Sequence, residues 1–210
     1  MILEACVGNL KDALSSQEKG AHQIELCDRL DLDGTSPPRQ LVASVCTELD
    51  IPVKVIVNPN TMDYQYSDRQ MDEILKYVDQ ISQYDIKGIV FGPIDDKGMP
   101  DLSAIARITS HTTLPITYHK AIDASPDIIK ATQALVDQGL ISSILSSGGC
   151  KTAWEGRETL LKMKQILVEA SGDIQLIGAG RITNDNLNKL DDVLGLESYH
   201  GKLIMGKLGR

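Results

Sequence analysis

The chain has 210 residues, of which 42% are hydrophobic and 24% charged, a composition that fits one folded domain and excludes a disordered or collagen-like chain. A net charge of −8 and the lack of any Lys/Arg block argue against nucleic acid as a partner. Four cysteines with no Cys-x-x-Cys pair exclude a disulfide framework and a zinc ribbon, and no apolar run approaches the ~18 residues of a membrane span.

In chain order, the first strand candidate is Ile2–Cys6. Its Glu4 also interrupts the apolar stretch that a secretory leader needs, so a cytoplasmic protein is expected. Strand candidates follow at Gln23–Cys27, Val53–Val57, Gly88–Phe91, Pro115–His119, Ser142–Ser146, Ile174–Ile177 and Leu196–His200. Between them lie amphipathic segments. Leu41, Val42, Val45, Cys46 and Leu49 form one stripe. The next runs from a capping Ser67 to Gln83. A third opens at Ser125-Pro126-Asp127 and closes at Gly139; two more are expected over 152–170 and 183–194. The segments 28–38 and 58–66 read as irregular loops.

Eight strand–helix units in 210 residues leave about 26 residues each, enough for a strand, a helix and two short loops. The alternation predicts a single-domain closed (β/α)8 barrel. Only ten residues follow His200, so the last helix is expected to be shortened or missing.

Side chains alternate faces along a strand. Leu3, Ala5 and Val7 share one face and Glu4 and Cys6 the other; Ile24 and Leu26 oppose Glu25 and Cys27. Val53, Val55 and Val57 oppose Lys54, Ile56 and Asn58, and Ile116 and Tyr118 oppose Thr117 and His119. With the aliphatic face against helices, Glu4, Glu25, Lys54, Thr117 and His119 must look into the barrel. Buried charges need partners. They form either a paired structural network around Lys54 or a site for a polar ligand. In the second case Glu25, Lys54 and His119 are the candidate catalytic residues, with His119 as general base beside Glu25. Cys6, Cys27, Asn58, His119 and His200 fall at strand C-termini, where barrel sites lie.

Ser147-Gly148-Gly149 and Gly178-Ala179-Gly180-Arg181 each follow a strand and precede a helix. Such loops can bring backbone N–H groups to a phosphate, or simply make tight turns. Ser147, Gly148, Gly149, Gly178, Gly180, Arg181 and Asn58 are therefore candidate anion- or ligand-binding residues. His22 and His111 read as surface residues, Cys46 as core, and Cys150 as a thiol at the start of the sixth helix. Trp154, the only tryptophan, is a candidate subunit contact.

The segments LEACVGNL, GAHQIELCDRLDLDGTSPP, ITYHKAID, LSSGG and IGAGRIT, in this order, resemble the CutC copper homeostasis protein family over about residues 2 to 201. The resemblance implies a TIM barrel, a cytoplasmic homo-oligomer (dimer or higher), and a role in copper handling. It implies copper(I) ligands at Cys6 and Cys27. Two soft thiolates suit that ion. Two departures stand out. The family's Arg-Pro-Arg-Gly-Gly after the third strand is Asn58-Pro59-Asn60-Thr61-Met62 here, and its His-Arg after the fifth is His119-Lys120. Both remove a guanidinium and its two-pronged grip on an anion.

Overall fold

The computed structural model describes residues 1–32, 34–59, 63–170 and 173–208. Its strands are β1 (Ile2–Val7), β2 (Gln23–Leu26), β3 (Val53–Ile56), β4 (Gly88–Val90), β5 (Ile116–Tyr118), β6 (Ser143–Ser146), β7 (Gln175–Gly178) and β8 (Ser198–Gly201). All pair in parallel, in chain order, and β8 closes on β1. This is the expected TIM-type barrel, and every expected strand lies within two residues of its place.

Seven helices surround it: α1 (Leu10–Glu18), α2 (Arg39–Glu48), α3 (Asp68–Ile81), α4 (Leu102–Thr109), α5 (Ile128–Gln138), α6 (Arg157–Glu169) and α7 (Leu187–Leu194). Among the described residues no helix follows β8; the tail instead turns back and bridges Leu203 to Thr183. Among the described residues no helix is long and apolar enough to cross a membrane.

Three helix starts differ from expectation. The α5 cap is Asp127, whose carboxylate accepts from the Lys130 amide, while the Ser125 hydroxyl donates to the Gly98 carbonyl. Thr152 and Glu155 do make the reciprocal bonds of a capping box, but these close one isolated turn before α6 begins at Arg157. Backbone crowding ends that turn: a Cβ on Gly156 would stand 1.9 Å from the Ser147 carbonyl oxygen. Likewise Asn186 holds the Thr183 amide, and α7 starts only at Leu187. Cys150 therefore sits in an exposed turn, seven residues before the first residue of its helix.

Strand parity places the core as expected. Val7, Ile24, Leu26, Val55, Ile89, Tyr118, Ile144 and Tyr199 pack outward against the helices in one large cluster. Inside the barrel, two small apolar groups sit toward the strand C-termini: Cys6, Cys27, Ile56 and Val90, and across from them Leu145, Ile177 and Ala179. Below them the interior is polar.

Candidate functional site

The polar interior is built on Glu4, which is fully buried at the middle of β1. Its register partners are Gln23 in β2 and His200 in β8. Both donate to it: Gln23 Nε2 lies 2.7 Å from Oε2 and His200 Nδ1 2.8 Å from Oε1. Lys54 Nζ completes the cluster at 3.1 Å from Oε2 and also reaches the Thr117 hydroxyl at 3.3 Å. Thr117 passes the chain on to Ser143 at 2.7 Å. Burial alone would raise the Glu4 pKa, but His200 and Lys54 outweigh it and hold the carboxyl at about 2.

One layer higher, Cys6 pairs in register with Glu25 rather than with Cys27. The stagger of the barrel therefore puts Cys27 a layer above Cys6. Their side chains close that step: the two Sγ atoms are 3.7 Å apart, and both residues are buried. Cys27 Sγ also lies 3.2 Å from Glu25 Oε1. The hydrogen bond from Cys27 is the largest influence on Cys6 and, with His200 beside it, brings that thiol down to about 5 against its burial. The same bond, with burial, pushes Cys27 up. Cys6 is thus the more acidic thiol of the pair and Cys27 the less acidic. Burial raises Glu25 to about 7 despite His200, whose Nδ1 is 3.5 Å from Oε2, too far for a hydrogen bond. Burial opposes charge on His200, but Glu25, Cys6 and Glu4 raise its pKa well above the usual histidine value. Two sets of potential metal-binding groups result, Cys6–Glu25–Cys27 and Glu4–Glu25–His200.

His119 is not a partner of Glu25. Its Nδ1 accepts from the Ala121 amide at 3.1 Å, and its ring lies 4.6 Å from that of Tyr64. Gly92 makes room for it: a Cβ there would be 2.4 Å from Nδ1. Its Nε2 is buried and has no hydrogen-bond partner among the described residues. His119 and Glu25 instead line one cavity of about 230 Å³, together with Cys6, Tyr64 and His200. Desolvation lowers the His119 pKa from 6.5 to about 4, so the ring is neutral at neutral pH. Between those two values the unfolded chain binds a proton that the fold refuses. His119 therefore makes stability fall as pH drops through this window. Glu25, raised from 4.5 to about 7, tilts the same window the other way, so a variant is needed to isolate the histidine. His119→Asn keeps an acceptor for the Ala121 amide. Relative to that variant, the native chain should lose about 2 kcal/mol between pH 7 and pH 5 in denaturant titrations. Equal losses would show that the ring ionises freely in the fold.

The glycine loops divide. The Ser147–Gly149 loop is already occupied by an internal anion, the Asp123 carboxylate. That group accepts from the amides of Ser147 (3.0 Å) and Gly149 (3.0 Å) and from the hydroxyls of Ser146 (2.6 Å) and Ser147 (2.7 Å). Gly148 directs its amide to Ser146 Oγ at 2.9 Å. Gly178 packs against Leu196 and Tyr199 on the helix side. Asn58 uses both ends of its amide inside the protein, donating to the Gly34 carbonyl and accepting from Tyr66. Asn60, Thr61 and Met62 of its segment lie outside the described residues. Gly180 and Arg181, in contrast, line a cavity of about 580 Å³ at the ends of β7 and β8.

His200 is the residue that strand parity alone did not tie to the site; its contact with Glu4 exists only because β8 closes on β1. His22 and His111 lie at the surface, accepting from the Leu3 amide and pairing with Asp79. Cys46 is half-buried rather than core. Trp154 is partly exposed, with Arg157 and Lys189 over its ring at 5.0 and 4.1 Å.

Comparison with known proteins agrees with this architecture. The CutC family matches residues 1–205. The chain is 31% identical to a human protein named a copper homeostasis protein cutC homolog, over 95% of this chain and 72% of that one. The mouse protein of the same name is 30% identical over equal shares. Among solved structures, the CutC protein of Streptococcus agalactiae superposes with a TM-score of 0.89 at 24% identity, over 97% of this chain and 99% of that one. With its whole length spanned by the family and a barrel of the same topology, this chain belongs to the CutC family.

Proposed function

We propose that this protein binds copper(I) as cargo through the sulfurs of Cys6 and Cys27. The observation that carries the reading is two buried sulfurs 3.7 Å apart, one of them with its pKa brought down to about 5. Soft sulfur donors favour Cu(I) over hard ions. The names of the human and mouse relatives point the same way. When an ion enters, Cys27 must release its proton. The Glu25 carboxylate, 3.2 Å away with a pKa of about 7, is placed to take it. His200 then offsets the negative charge of two thiolates. Cys46 and Cys150 lie elsewhere, so they serve as controls.

The test is an anaerobic Cu(I) competition titration against a chromophoric chelator. Native chain and a Cys46→Ser/Cys150→Ser variant should hold one ion with equal affinity, and Cys6→Ser/Cys27→Ser should not. Undiminished affinity in the latter overturns the reading.

A second reading, a barrel enzyme for a small polar molecule, is favoured by the His119 Nε2, which has no hydrogen-bond partner among the described residues, and by the 230 Å³ cavity that His119 and Glu25 both line. There His119 is a neutral base and Glu25 an acid near neutrality, while Lys54, held by Glu4 and Thr117, fixes the floor. Under this reading Glu25→Gln or His119→Ala abolishes turnover in a metabolite screen, and retained turnover in both variants excludes it.

A further inference from the structure

We propose that the cavity at the C-terminal ends of β7 and β8 is a binding site for a small phosphate monoester. The proposal does not rest on copper binding. The cavity, about 580 Å³, is the size of a small-molecule site. Four cations converge on it from four separate segments: Lys120 after β5, Lys151 after β6, Arg181 after β7 and Lys202 after β8. Among the described residues no Asp or Glu lines it. In a chain whose net charge is −8, this reverses the local field.

Two of the cations are also unspent. Among the described residues, Arg181 and Lys151 make no ion pair. Lys202 Nζ donates to the Leu30 carbonyl at 2.5 Å and acts electrostatically on Asp31. Lys120 is paired with Asp123 at 3.3 Å, a carboxylate whose charge it shares with the amides and hydroxyls of the β6 loop. Arg181 stands in a left-handed backbone conformation, φ +54°, that a side-chain-bearing residue rarely adopts. Asn186 Nδ2 holds its carbonyl there at 2.9 Å.

The occupant should be a dianion with several acceptor oxygens, which a phosphate monoester supplies and a carboxylate does not. It should also be small. The cavity shares His200, Lys120 and Lys202 with the 230 Å³ cavity that holds Glu25 and His119. A ligand with its phosphate between Arg181 and Lys151 therefore points its other end at those two groups. The same loops bind phosphate in many barrels of this architecture. The β6 glycine loop is closed to an external anion by Asp123, which leaves the loops after β7 and β8 for the ligand.

The test uses glycerol 3-phosphate, inorganic phosphate and glycerol as probes, by calorimetric titration of the full chain. Saturable one-to-one binding of glycerol 3-phosphate is expected, with none for glycerol. Arg181→Gly/Lys151→Gln removes two exposed, unpaired charges, and glycine suits the left-handed position. It should weaken binding at least tenfold. Equal affinity in that variant, or no saturable binding of either phosphate at about 10 mM, overturns the proposal. On the native chain, amide chemical-shift changes should centre on Gly180–Thr183 and Gly201–Leu203; changes centred elsewhere overturn it too. Neither probe is a thiol ligand, so the result reads the same whether or not copper binds.

Discussion

Replacing Cys6 and Cys27 together by serine is expected to weaken Cu(I) binding at least a thousandfold, ~4 kcal/mol or more. The serine hydroxyl does not ionise at neutral pH and is a hard donor, so it fails the ion twice. The two sulfurs should also act as a unit. Removing Cys6 takes away the more acidic thiol, and removing Cys27 takes away the hydrogen bond that lowers its pKa. Either single variant should then lose most of what the double variant loses, with strong non-additivity. Stability is a separate readout. Each new hydroxyl is slightly smaller than the sulfur and finds Glu25 or His200 within reach, so unfolding should shift by only about 1 kcal/mol. A double variant that keeps its fold and its copper would assign the metal elsewhere, and the Glu4–Glu25–His200 group would be next in line.

The fold was legible because its signal is local. Alternation in LEACV, QIELC and VKVIV states which residues face helices, and the barrel keeps that parity throughout. Interior Glu4, Glu25 and Lys54 follow from the same rule. What the strands could not state is how they are staggered. Cys6 and Cys27 look level by counting from each glutamate, yet the register pairs Cys6 with Glu25, and the thiols meet across a step. His200 is inward by alternation, but its bond to Glu4 depends on the closing β8–β1 pair, 196 residues apart in sequence. Asp123 was invisible for another reason. A glycine loop that cradles a free phosphate and one that cradles an internal carboxylate have the same sequence features, and the carboxylate comes from a turn 24 residues earlier. The helix expected over 152–170 begins only at Arg157, because the crossing of Gly156 over Ser147 is a tertiary constraint.

Glu4→Gln should destabilise the barrel by about 3–5 kcal/mol, the size of breaking a buried ion pair by removing one partner. The carboxylate is the common acceptor for Gln23, Lys54 and His200. The amide keeps one acceptor oxygen and sets an NH2 against a second donor. Lys54, mostly buried, and His200 are then left without their nearest counter-charge. The carboxyl's pKa gives a consistent size: held at about 2 rather than 4.5, it contributes ~3 kcal/mol. That contribution is fully present above pH 4.5 and is lost as pH falls toward 2, so the native chain should carry an acid limb in its stability profile that Glu4→Gln lacks. At neutral pH the variant's melting temperature should fall by roughly 6–20 °C for a domain of this size. Glu4→Gln/Lys54→Met should recover part of the loss, because the second change removes the stranded ammonium. A Glu4→Gln chain within about 1 kcal/mol of native would mean that the interior charges are solvated rather than paired. The polar floor beneath Cys6 and Glu25 would then not be the rigid support that both readings of the site require.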